Sequence, residues 1–152
     1  MSSDDGLWPE IRKHIRDVDW QRIETGIIAA GVPDLNGCME SVEAWIELKA
    51  TDTFSVNNIS PHQIGWLEKR ARNGGRTFLL TRRRHNGGPR KGLAVDEIWL
   101  HRGVDARHVL VDGLKDGLKD SVPPLLVCSG GPAKWNWELL KIIIFKRPIE
   151  AG

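Results

Sequence analysis

The stretch Ala44-Trp45-Ile46-Glu47-Leu48-Lys49 constrains this chain most. Its residues alternate with a period of two, so as a strand it sends Ile46 and Leu48 to one face and Trp45, Glu47 and Lys49 to the other. A half-buried strand face has no packing use for an acid and a lysine beside an aromatic ring, so that face is expected to line something polar. A further carboxylate, Asp34, stands on a turn made by Gly31 and Pro33, with twelve residues between it and Glu47. Pro33 restricts its own φ and biases Val32 away from helix, which presents Asp34 at a strand edge. Two converging carboxylates can hold a hard divalent cation, and a lysine next to them can meet phosphate charge.

Around this stretch the chain alternates strands and helices. Helix is expected over Leu7–Arg16, with Glu10 in its first turns, and a first strand over Trp20–Ile28. Leu35-Asn36-Gly37 reads as a hairpin turn, because Asn-Gly is the strongest short-range hairpin signal. The central strand spans Glu43–Ala50, and the polar segment Thr51–Ile59 after it is a connector or a substrate-contacting loop. Ser60, Pro61 and Gln63 fit the N-cap, first helical position and capping-box partner of a helix. Ile64, Leu67 and Ala71 are its buried stripe, and Asn73-Gly74-Gly75 its end. Strands are expected over Arg76–Arg83, within Gly92–Arg102 and over Leu125–Cys128. A helical segment is expected over Val104–Asp120, and an apolar one over Lys134–Phe145 that is either core or a self-association face.

Pro33-Asp34 followed by Glu47-x-Lys49 resembles the signature of the PD-(D/E)xK nuclease superfamily. Gly31-Val32-Pro33-Asp34-Leu35, then Gln63 on a later helix and Gly74-Gly75, resembles its VRR-NUC branch, and the gap length is similar to that in archaeal Holliday-junction resolvases. The resemblance runs from Glu10 to Arg83, about half the chain. It implies an α/β single domain over residues 1–152, a restriction-endonuclease-like nuclease core with a central mixed β-sheet flanked by helices. That core is expected over about 7–102, with a C-terminal helical extension over about 103–152. It also implies a metal-dependent endodeoxyribonuclease that leaves 5′-phosphate and 3′-hydroxyl ends.

On this reading Asp34, Glu47, the Leu48 carbonyl and Glu10 hold Mg²⁺, or Mn²⁺ in its place, with Glu24 a rival to Glu10. Lys49 balances charge at the scissile phosphate, and Gln63 reaches toward it. Branched DNA is the expected substrate, and symmetric cutting of two strands implies a twofold homodimer. A short, freestanding enzyme of this kind suits a phage or mobile element. The other readings are a nicking or structure-nonselective nuclease and a non-cleaving DNA-binding module of the same fold.

Composition narrows the rest. A chain of 152 residues with 40% hydrophobic content is sized for one core. No apolar run nears the roughly 20 residues of a membrane span, and MSSDDGLWPE is not a signal peptide, so a cytoplasmic setting (host cytoplasm if phage-encoded) is expected. Cys38 and Cys128 form no C-x-x-C pair, which argues against a zinc knuckle or a disulfide scaffold. The absence of tyrosine excludes a tyrosine recombinase or topoisomerase nucleophile. Net charge is only +2, but Arg82, Arg83, Arg84, Arg90 and Lys91 cluster around a glycine-rich turn. They are the expected contacts to a DNA backbone.

Overall fold

Strand β3, Val42–Thr51, is the axis of a six-stranded mixed sheet in the order β1-β2-β3-β4-β5-β6. The computed structural model describes residues 4–24, 30–114 and 122–148. Around β3 lie β1 (Asp19–Arg22), β2 (Leu35–Met39), β4 (Arg76–His85), β5 (Val95–Arg102) and β6 (Leu126–Cys128). Among the described residues only β3 and β4 pair in parallel, with Ile46 opposite Phe78 and Lys49 opposite Thr81. A parallel pair needs a crossover, and α2 (Pro61–Arg72) supplies it. The remaining helices are α1 (Leu7–His14), α3 (Ala106–Asp112) and α4 (Trp137–Phe145).

The period-two alternation of β3 sorts the core into two layers. Ile46 and Leu48 join Phe78, Leu80, Ile98 and Leu100 beneath α1 and α4, where Leu7, Ile11, Leu140, Ile143 and Phe145 are buried. On the other face Leu79 and Trp99 pack with Ile64 and Leu67 of α2, Val109 of α3, and Val56 and Ile59 of the loop between. Helix α2 begins as its sequence dictates. The Gln63 amide donates to Ser60 Oγ at 3.1 Å, and the Ser60 amide donates to Gln63 Oε1 at 2.9 Å.

Several local expectations are corrected by tertiary packing. Asn36-Gly37 is not a turn: both residues lie inside β2, paired with Trp45 and Ala44. A Cβ on Gly37 would stand 2.6 Å from the Trp20 ring and 2.8 Å from that of Phe145, so glycine is there to admit two aromatic rings. The turn falls instead at Glu40-Ser41, with φ of 49° and 69°. The first strand ends at Arg22, and residues 25–29 of its expected span lie outside the described residues. The helix expected over Val104–Asp120 is a tight turn at Gly103–Asp105 followed by α3, which stops at Gly113. Residues 115–120 of that span lie outside the described residues. The last helix starts at Trp137, where Asn136 Oδ1 accepts the Leu139 amide at 3.0 Å. Nor is the C-terminal part a helical extension to a finished core. Strand β6 pairs with β5, and α4 buries its apolar side in the same cluster as α1. No helix among the described residues is long and apolar enough to cross a membrane.

Candidate active site

The site forms where β2 leaves β3. Their pairing ends at Leu35 opposite Ile46, because Pro33 and Gly31 turn the chain away. Gly31 has φ of +85°, and a Cβ there would lie 2.4 Å from the His62 carbonyl oxygen, so the turn rests directly on the start of α2. Beyond the last β2 partner, the Leu48 amide donates to Asp34 Oδ2 at 2.8 Å. A side chain thus replaces a strand, and that bond holds the Asp34 carboxylate over β3.

Glu47 meets it there. The residue is 1% exposed, and its Oε2 has no hydrogen-bond partner among the described residues. Burial, then the hydrogen bond and charge of the adjoining Asp34 carboxyl, push the Glu47 carboxyl far above the usual carboxylate range, against the opposing pull of Lys49 and Arg22. Lys49, two residues on and also buried, donates from Nζ to the Asn58 carbonyl at 2.8 Å. Asp34, Glu47 and Lys49 therefore share one locality on the α2 side of the sheet. Two carboxyl groups in contact, one with an oxygen that meets no donor, are a donor set suited to a hard divalent cation. Leu48 lies between Glu47 and Lys49, with its N–H already committed to Asp34.

The other expected site residues are placed differently. Glu10 rides on α1, on the opposite face of the sheet. There it lies against His14, with Nδ1 3.5 Å from Glu10 Oε2. Among the described residues no group of three or more His, Cys, Asp or Glu converges, and Glu24 is exposed. Gln63 has its side-chain oxygen in the helix cap.

The basic block divides. Arg82 and Arg83 are buried at 3% and 8% exposure. Arg82 makes a two-pronged bond to Asp96 at 2.8 and 2.7 Å and donates to the Asp5 carbonyl at 2.9 Å. Arg83 pairs with Glu97 at 2.6 Å beneath the Phe54 ring. These two arginines tie β4 to β5 and are not open to a DNA backbone, which corrects the expectation for them. Arg84, Arg90 and Lys91 are exposed, although Lys91 reaches Asp52 at 3.1 Å and Arg84 reaches Asp5 at 3.5 Å.

Two site residues escaped the sequence reading. Arg22, at the end of β1, places Nη1 3.5 Å from Asp34 Oδ1 and Nη2 4.0 Å from Asp4 Oδ2. Its only sequence signal is its place at the end of the strand before Asp34. Thr81, opposite Lys49, is a second: it is fully buried and its Oγ1 finds no partner among the described residues.

No family model matches the chain, and no curated protein matches it. Among solved structures the chain is similar to Hjc of Archaeoglobus fulgidus, a Holliday junction resolvase from an archaeal hyperthermophile. The identity is 13%, covering 66% of this chain and 74% of that one, with a TM-score of 0.41.

Proposed function

We propose that the protein is a metal-dependent endodeoxyribonuclease that hydrolyses phosphodiester bonds in branched DNA and belongs with the VRR-NUC and junction-resolvase-like PD-(D/E)xK nucleases. The observation that carries this reading is the contact between the half-buried carboxyl group of Asp34 and the buried one of Glu47, with Lys49 on the same strand face. Two such groups oppose each other unless a cation or a proton stands between them. Asp34 and Glu47 would hold Mg²⁺ or Mn²⁺, since Mg²⁺ takes few carboxylates and keeps several waters. When bound, the ion supplies countercharge at the phosphate and a lowered water pKa. Lys49, compact and cationic, balances charge that develops on the phosphoryl oxygens. Arg22 orients Asp34 and supplies a further cation beside it. On this reading the shape of the junction is what is recognised, and paired cuts require a twofold dimer.

A second reading, a DNA-binding module that does not cleave, is favoured by one observation: only two carboxylates converge among the described residues. The two are separated by incubating four-way junction, nicked duplex and linear duplex with Mg²⁺, with Glu47→Ala and Lys49→Ala as controls. Paired symmetric nicks in the junction alone, lost in both variants, are the expected result. Equal digestion of linear duplex points to a structure-nonselective nuclease. Binding without cleavage, with Mg²⁺ or Mn²⁺, removes the nuclease reading.

A further inference from the structure

Between β4 and β5 the chain forms a hairpin finger that the site does not use. Gly88 and Gly92 exchange backbone hydrogen bonds, each at 3.0 Å, and the Lys91 amide also donates to the Gly88 carbonyl at 3.1 Å. These bonds close Pro89-Arg90-Lys91 into a tight turn. Below it the Gly87 amide donates to His85 Nδ1 at 3.0 Å, so the finger is internally bonded down to the end of β4. In the turn Arg90 is exposed, and on the returning arm, one residue past Gly92, Leu93 is 89% exposed, the most open large apolar side chain among the described residues.

A lone exposed leucine is ordinary. This one stands on the returning arm of a bonded hairpin, next to a turn that carries Arg90 and Lys91, and close to the candidate site. Lys91 Nζ lies 3.1 Å from Asp52 Oδ2. Asp52 follows Lys49 by three residues, which limits their Cα separation to about 11 Å. A cleft of about 350 Å³, lined in part by Thr51, Asp52, His85 and Asn86, lies between the end of β3 and the base of the finger. Its acids, Asp5 and Asp52, are already matched by Arg84 at 3.5 Å and Lys91 at 3.1 Å.

We propose that the 86–94 finger is a wedge for duplex DNA, with Leu93 inserting at a base step and Arg90 contacting the flanking backbone. A protruding apolar side chain beside a cation is the combination with which proteins unstack a step and kink a duplex. The finger stands within one helical turn, about 34 Å, of a strand seated at Glu47 and Lys49. It therefore selects DNA that is inexpensive to unstack at that distance from the site: branched, nicked or mismatched duplex. The placement rests on the nuclease reading; the wedge itself does not require cleavage.

The test uses short nicked duplexes carrying 2-aminopurine at successive positions, bound by the full chain in EDTA. A several-fold rise in emission at one or two steps is expected with the unmodified protein. Leu93→Ala is expected to abolish the rise while the complex persists. Arg90→Gln is expected to keep the rise but lower the dependence of log affinity on log salt by about one. No rise, a rise unchanged in Leu93→Ala, or no binding to duplex overturns the wedge. A parallel incubation with Mg²⁺ separates the two readings. A Leu93-dependent rise without cleavage leaves the wedge standing and the nuclease reading fallen, and cleavage without that rise does the reverse.

Discussion

The Leu48 amide donates to the Asp34 carboxylate at 2.8 Å, across the gap where β2 has already left β3. This bond brings Asp34 beside Glu47, and it makes the two acids a mutually destabilising pair in the absence of a cation. Glu47→Gln keeps the shape and replaces an acid that burial and Asp34 keep from ionising by an amide that has no proton to lose. It is expected to reduce cleavage by at least about a hundredfold. In EDTA at pH 8 it is expected to raise stability by about 1–3 kcal/mol, because the neutral amide relieves a buried, opposed carboxyl. Melting curves and a junction-cleavage assay on one preparation check both, and a fall in stability would contradict the reading of the pair.

His101 provides a pH dependence of its own. The ring is 1% exposed, and neither nitrogen has a partner among the described residues. Burial lowers its pKa to about 4, against a smaller upward pull from Asp105. The unfolded chain takes up this proton near the ordinary value of 6.5, so it binds more protons than the folded chain between the two values. Stability from this group is complete above that window and is lost as pH falls through it. His101→Leu is expected to flatten the loss between pH 6.5 and 4, with a difference from wild type of about 1–3 kcal/mol at the acid end. Denaturant titrations at pH 7 and pH 5 read this directly, and parallel curves for the two proteins would refute it.

Arg82 is a structural cation. Removing it leaves Asp96 facing an emptied space, and it also removes the guanidinium from the Trp135 ring 5.2 Å away. Arg82→Ala is expected to destabilise by about 2–4 kcal/mol, below the figure for a fully enclosed pair because the Asp96 side chain is 24% exposed. Below its melting temperature the variant is expected to keep the salt dependence of DNA binding. A reduced salt slope in Arg82→Ala would return this arginine to the DNA interface.

The position of the β2–β3 turn makes two opposite predictions. Gly37→Ala drives a methyl into the Trp20 and Phe145 rings and is expected to destabilise by about 1–3 kcal/mol. Ser41→Gly relieves a left-handed backbone at φ of 69° and is expected to stabilise by up to about 1 kcal/mol. Thermal unfolding of the two variants decides between this turn and one at Asn36-Gly37.

The parts legible in advance are those set by near neighbours. The alternation of β3 placed Ile46 and Leu48 against Glu47 and Lys49, and the Ser60-Pro61-x-Gln63 string placed the start of α2, because period and capping are local properties. The convergence of Asp34 with Glu47 was approachable only through their order and spacing along the chain. The burial of Arg82 and Arg83 was not legible, since their partners Asp96 and Glu97 lie fourteen residues away and only the β4–β5 register brings them together. Asn36-Gly37 misled for the same reason: turn propensity is weak beside the packing of two aromatic rings against one glycine.

By itself the sequence determined the periodicities, the caps and the set of charged groups available for chemistry, because these depend on residues within a few positions of one another. Which carboxylates meet, which arginines remain in solvent and where the chain turns were decided by the tertiary structure. Strand register and the α2 crossover bring distant residues to one place, and burial there decides which charges are matched and which are left opposed.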